Sequence, residues 1–166
     1  MIDFHKMLII VLICTEEYTV PAFGERGLMK IILTLDDDNR TMFNHRRQSR
    51  DIAVREKIAE LAEGSRLWMN SYSGKLFRDT ETEFDTAEDF LDRAKAGDFC
   101  FVENTEISRA AEKIEEFIIF RWNRKYPGDT GPDILPWENG FFCVESEEFP
   151  GNSHEKITME IWRKEK

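Results

Sequence analysis

Apolar positions along the chain fall into blocks that alternate between strand-like runs and helical spacing. Met29 to Leu35 (MKIILTL) is a near-continuous apolar run ending in the turn cluster Asp36-Asp37-Asp38-Asn39, which predicts a buried strand. Val54, Ile58, Leu61 and Ala62 recur at helical spacing, with Ser49 as the expected N-cap and Gly64 as the stop, so a helix is expected from Ile52 to Ala62. Leu67-Trp68-Met69 predicts a second strand, followed by a polar turn, Asn70 to Gly74. Arg78 to Asp85 is acidic and loop-like. Thr86 with Asp89 three residues on approximates a capping box, for a helix with Phe90, Leu91 and Ala94 inward and Gly97 at its end.

Phe99 to Val102 predicts a third strand and Glu103-Asn104-Thr105 a turn. A helix is expected near Ser108 to Glu115 and a fourth strand over Phe117 to Trp122. Tyr126 to Trp137 holds three of the five prolines and reads as a long loop. Phe141 to Glu145 and Ile157 to Trp162 complete the strands, the latter alternating as a half-buried antiparallel strand does. Strands alternating with helices imply right-handed crossovers and a mostly parallel twisted sheet between two helical layers. The two final strands add a C-terminal antiparallel hairpin. The expected fold is therefore a three-layer α/β/α domain.

With 166 residues, 41% of them hydrophobic, the chain is long enough for one domain with a substantial core. A formal net charge of -10 disfavours nucleic acid and anionic membrane, whose phosphates would be repelled over most of the surface. Cys14, Cys100 and Cys143 form no CxxC pair. An odd count without a disulfide pattern suits a reducing cytoplasm, and Cys100 and Cys143 read as buried structural thiols. Met7 to Cys14 (MLIIVLIC) is far short of the ~20 residues that span a bilayer, and no A-x-A-like cleavage site follows it. A start at Met29 would make residues 1–28 an extension that packs poorly, leaving 29–166 as the single α/β domain.

Against this acidic background, Met42 to Asp51 (MFNHRRQSRD) gathers three arginines and a histidine at the mouth of the Ile52 helix. Arg46, Arg47 and Arg50 either hold a phosphate or carboxylate there, where the helix dipole also favours an anion, or pair with Asp36, Asp37 and Asp38 across the loop. Asn70, Ser71, Tyr72, Ser73, Glu103 and Asn104 follow or end strands on the side where open α/β sheets bind ligands, and either join the candidate binding set or serve as turn chemistry with helix capping. Asp51 is either an ordinary helix-start carboxylate or, beside a heterocycle, a proton donor. His5, His45 and His154 supply no metal-ligand spacing, so no metal is expected.

The element order resembles dihydrofolate reductase over about residues 30–164. Asp51 falls where that family carries an acid near the start of its first helix. Gly128-Asp129-Thr130-Gly131-Pro132-Asp133 resembles its late Gly-Asp-Thr loop, and Asn152-Ser153-His154 the segment before its last strand. The resemblance implies a pteridine reductase using NADPH, with Asp51 as the catalytic acid. The departures argue otherwise. Arg46-Arg47-Gln48 replaces an apolar substrate loop, Glu103-Asn104-Thr105 replaces a Gly-Gly turn that approaches the cofactor pyrophosphate, and Phe120 stands where the acid's threonine partner is expected. The stretch from Ser73 to Thr86 also looks too short for the extra strand in the adenosine half. The chain is also similar to a group of small bacterial proteins sharing the Asp-Asp turn and the Met-Phe-Asn-x-Arg-Arg-Gln-Ser-x-Asp run. Members are often labelled ribonuclease Z, but the His-x-His-x-Asp-His cluster of that hydrolase is missing from the sequence. The expectation is a cytoplasmic, non-redox protein without a cofactor, binding a small anionic or nucleotide-like ligand or a protein partner at residues 45–51. The alternatives are the NADPH-dependent reductase and a purely structural interaction module.

Overall fold

The computed structural model describes residues 28–165; the expectation of a poorly packed N-terminal extension falls on residues outside that range, Leu28 excepted. Among the described residues nine strands form two sheets. These are β1 (Met29–Leu35), β2 (Met42–Phe43), β3 (Arg46–Arg47), β4 (Leu67–Met69), β5 (Asp85–Thr86), β6 (Phe99–Phe101), β7 (Ile114–Arg121), β8 (Phe141–Phe149) and β9 (Ile157–Lys164). The main sheet has seven strands in the order β5-β4-β6-β1-β7-β9-β8, and β2 and β3 form a separate two-stranded ribbon. β5, β4, β6, β1 and β7 run parallel, whereas β9 is antiparallel to both β7 and β8.

β1 lies at the centre because it is apolar on both faces. Its side chains divide by the period-2 rule between two cores. Met29, Ile31, Leu33 and Leu35 face one side with Phe90, Leu91, Ile107 and Ala110. Ile32 faces the other with Val54, Ile58 and Ala62 of helix α1 (Ile52–Ala62) and Leu76 and Phe77 of helix α2 (Ser71–Phe77). Helical segments therefore cover both faces, giving the three-layer α/β arrangement with the C-terminal hairpin β8–β9. Edge strand β8 exposes Phe142 and Val144 but carries Glu145, Glu147 and Glu148, charges that discourage edge-to-edge pairing. Among the described residues no helix is long and apolar enough to cross a membrane.

Several local expectations are corrected. The polar segment after β4 is helix α2, because the Asn70 side chain caps it by accepting from Ser73 N–H. Thr86 belongs to β5, a two-residue strand that fits where the chain looked too short for one. Helix α3 shrinks to Phe90–Arg93, since Asp89 makes no side-chain cap. Residues Ser108–Lys113 form a 3-10 helix, β7 begins three residues early at Ile114, and β8 continues to Phe149. Cys100 is buried, and burial pushes its thiol up to about 12, whereas Cys143 is exposed on the edge strand. The alternation rule cannot place Cys143 because β8 has no further strand to cover it.

The β2–β3 ribbon has no clear apolar signal in the sequence. Its two-residue turn puts both Asn44 (φ 48°) and His45 (φ 59°) in the left-handed region, the geometry of a type I′ hairpin. The Asn44 N–H donates to Asp129 Oδ2, tying the tip to the Gly128–Gly131 loop. At Gly131 a Cβ would stand 2.7 Å from the Asn39 carbonyl oxygen, so a side chain there would push the two loops apart. Two outcomes are expected in urea denaturation. Phe117→Ala, which empties a site packed edge-on against Phe141, lowers stability by about 3–5 kcal/mol. His45→Gly relieves the left-handed backbone and does not lower stability.

Candidate functional site

The β1→α1→β4 crossover and the β6→β7 crossover leave the central strands on opposite faces. The cleft between the carboxyl ends of β1 and β6 is thus the topological switch point where ligands of such sheets gather. Three carboxylates sit around it, all buried: Asp36 after β1, Asp51 at the head of α1 and Glu103 after β6. Each is answered by donors from distant segments.

Glu103 takes the most elaborate set. Arg47 Nε donates to Oε1 at 2.9 Å and its Nη2 to Oε2 at 3.0 Å, a two-point pairing of side chains only 7% and 2% exposed. Ser73 Oγ donates to Oε2 at 2.7 Å. The same guanidinium donates to the Tyr72 carbonyl and lies 4.6 Å over the Tyr72 ring. Asn70 completes the group by donating through Nδ2 to Asn104 Oδ1. Arg47, Asn70, Tyr72, Ser73, Glu103 and Asn104 are expected from the sequence to share one site. The structure brings them together, but with their polar atoms turned on one another. Ser71 faces away to the exposed Glu88, whose carboxyl that hydroxyl holds below its usual value. Arg46 and Arg50 are exposed, and neither forms an ion pair with a described residue. The acidic turn is not the arginines' partner: Asp36 instead accepts from Gln48 Nε2 and from backbone N–H groups of Asp38, Arg40 and Tyr126.

Asp51, rather than Ser49, is the N-cap of α1. Its Oδ1 accepts from the N–H groups of Ala53 and Asn152, and its Oδ2 from the N–H and hydroxyl of Ser153, with His154 Nδ1 at 2.9 Å. Burial pushes this carboxyl up, but the donors from Asn152, His154, Ser153 and Ala53 outweigh it and hold the group well below its ordinary 3.8. Asp51 is therefore ionised at neutral pH in this arrangement. Between it, Thr34, Phe101, Glu103 and Trp122 the cleft holds only about 10 Å³ of free space, room for about one water and not for a heterocycle. Arg55 and Trp122 line that space, and Arg55 Nε and Trp122 Nε1 are buried donors without a protein partner.

A larger opening lies outside the cleft. A groove of about 300 Å³ is lined by Phe43, Asn44, Arg46, Arg47, Gln48, Tyr126 and Pro127. The His154–Tyr126–Trp122 group beside it escaped sequence reasoning, although Asn152-Ser153-His154 was singled out. The signal available was a lone histidine following Gly151, and nothing in the sequence linked it to Asp51. Among the described residues, no group of three or more His, Cys, Asp or Glu is placed to hold a metal ion.

Two measurements check this geometry. Removing Glu103 by Glu103→Ala strands Arg47 in a buried site and costs about 3–5 kcal/mol, and the pair Arg47→Met with Glu103→Leu restores a large part of it. A carboxyl held low in the folded state contributes stability that is complete above its ordinary value and is lost as pH falls below it. Asp51→Asn is therefore expected to lower stability by on the order of 2–4 kcal/mol at neutral pH, with the gap to wild type narrowing as pH falls below 3.8 in acid titrations followed by circular dichroism.

No protein-family model matches the chain, and no curated protein matches it. Among solved structures it is similar to dihydrofolate reductase from Enterococcus faecalis complexed with NADP(H) and RAB-propyl, with a TM-score of 0.61 at 8% sequence identity, over 86% of this chain and 99% of that one. At that identity the likeness is one of fold: the chain has a dihydrofolate reductase-like α/β architecture.

Proposed function

We propose that this chain is a non-redox binding protein on a reductase-like scaffold, holding a small anionic, nucleotide-like ligand in the groove between Phe43, Arg46 and Tyr126. The observation that carries the reading is the buried Arg47–Glu103–Ser73 cluster. It fills the turn after β6 with side chains and a carboxylate, at the place where a nicotinamide dinucleotide would need bare backbone N–H groups. A hydride transfer needs its cofactor seated. The ionised Asp51 and the one-water cleft beneath it argue in the same direction.

What remains outward-facing suits a different ligand. Arg46 offers an exposed guanidinium, Asn44 an exposed amide, and Phe43, 49% exposed, and Tyr126 offer aromatic surfaces. Arg50, also exposed, adds positive charge near the start of α1. A cation beside aromatic faces fits a ring bearing a phosphate or carboxylate. A cytoplasmic location belongs to this reading, and the unpaired Cys100 and Cys143 are in keeping with it.

Calorimetry with adenosine monophosphate and with pyrophosphate tests the reading. The monophosphate is expected to bind more tightly than pyrophosphate, because only it uses the aromatic walls. Arg46→Ala with Arg50→Ala should weaken it about tenfold at low salt, consistent with ~1.5 kcal/mol for a charge-assisted contact. NADPH should give no energy transfer from the tryptophans. Low-micromolar NADPH binding would return the pteridine reductase to first place. Unchanged binding in the double variant would move the ligand elsewhere, and no binding of either anion would favour a protein-interaction module.

A further inference from the structure

Three residues far apart in sequence meet in one hydrogen-bonded line. Asp51 Oδ2 is 2.9 Å from His154 Nδ1, and His154 Nε2 is 2.7 Å from Tyr126 Oη. The carboxylate decides the direction of the line. Ala53, Asn152 and Ser153 all donate to Asp51 and keep it ionised, so the imidazole must present a proton on Nδ1. In the neutral imidazole the Nε2 lone pair is then left for the phenol, whose O–H donates to it. The Trp122 ring stacks on His154 at 4.7 Å and 17°, fixing the imidazole plane. At Gly151 a Cβ would lie 2.7 Å from Asp51 Oδ2, so the loop closes over the carboxylate only with glycine there.

The Tyr126 side chain also borders the groove described above, while His154 and Arg124, the two partners of its hydroxyl, line a second opening of about 440 Å³ with Trp122, Asn123, Glu155 and Lys156. Tyr126 is half-buried, while Asp51 and His154 are buried. Arg124 Nη1 lies 3.4 Å from the phenol oxygen, and its guanidinium sits 5.6 Å over the ring. A hydroxyl with an oriented base behind it and a cation beside it has the arrangement of an activated nucleophile.

We propose that Asp51, His154 and Tyr126 form a proton relay that makes Tyr126 Oη a nucleophile toward an anionic ester in the Arg46 groove. The ligand's anionic character rests on the binding reading above; the relay does not. Oη attacks the ester carbonyl carbon, forming the O–C bond as the Oη–H bond breaks and its proton passes to His154 Nε2. The carbonyl π pair moves to oxygen. As it returns, the bond to the leaving alcohol breaks, and that alcohol takes the proton from Nε2. Tyr126 is left as an acyl ester; water then adds to its carbonyl carbon as His154 Nε2 takes the water proton, and the bond to Oη breaks as the phenolate takes that proton back, giving free phenol and a carboxylic acid that ionises in water. Asp51 is a positioning residue: it holds the imidazole tautomer and faces the imidazolium.

The full chain is treated with neutral p-nitrophenyl acetate and with anionic acetylsalicylate, and acetylation is followed by peptide mass spectrometry. Tyr72, whose hydroxyl accepts from Arg47 N–H, serves as the internal comparison. Tyr126 is expected to acetylate at least tenfold faster than Tyr72 with the neutral ester. His154→Gln, which keeps an amide donor toward Asp51 but lacks the base, should slow Tyr126 by about a hundredfold. Asp51→Asn should slow it and alter the pH profile of acetylation. Tyr126→Phe, which keeps the ring, should remove the label. Equal rates at Tyr126 and Tyr72 in wild-type protein would overturn the relay, as would an unchanged rate in His154→Gln with wild-type circular dichroism. Arg46→Ala should slow only the anionic ester. If it slows neither while Tyr126 still outpaces Tyr72, the groove reading fails and the relay stands.

Discussion

A carboxylate taken out of water must be met by donors, and that demand shapes the whole upper face of this protein. Asp36, Asp51 and Glu103 lie close to the carboxyl ends of the central strands and are each at most 5% exposed. An unanswered charge in such a place is costly enough that the surrounding chain must come to it. Arg47 and Gln48 come from the β3 segment, Ser73 from α2, and Asn152, Ser153 and His154 from the loop before β9. The loops that connect the layers are thus held by ionic and hydrogen-bonding closure rather than by apolar packing alone.

This closure separates the protein from what its fold suggests. The architecture is dihydrofolate reductase-like, and the cleft at the switch point is where an open α/β sheet would seat a ligand. Here the same cleft is occupied by its own side chains. A fold carries many chemistries, and function resides in the site built on it. Outside that cleft, cationic and aromatic side chains of the β2–β3 ribbon line an open groove together with Tyr126.

The two halves of the sheet carry different loads. The parallel half around β1 is buried on both faces and supplies the rigid platform. The antiparallel half returns the chain so that the β8–β9 loop can lay Ser153 and His154 against the head of α1. One aspartate thereby caps a helix, fixes a loop and orients an imidazole. Its low proton affinity follows from that concentration of donors.

The strand and helix periods were legible along the chain because they are set locally by side-chain alternation and by steric limits on the backbone. β1, α1, β4, β6, β7 and β9 follow from those patterns, and their order implied the three layers. Elements that depend on one or two residues were not legible. α2 rests on the Asn70 cap, β5 on two residues paired to β4, and the β2–β3 ribbon on two left-handed positions at Asn44 and His45. The residue membership of the candidate site was partly readable, since Arg47, Ser73 and Glu103 all end or follow strands on one side of the sheet. The direction in which those side chains point was not. Charge pairing between residues 56 apart, and the hydrogen-bonded line through residues 51, 154 and 126, depend on which loops the closed sheet brings within 3 Å of each other. Sequence alone determined the periods and the order of the elements; the partners of each buried charge were decided only when the layers packed.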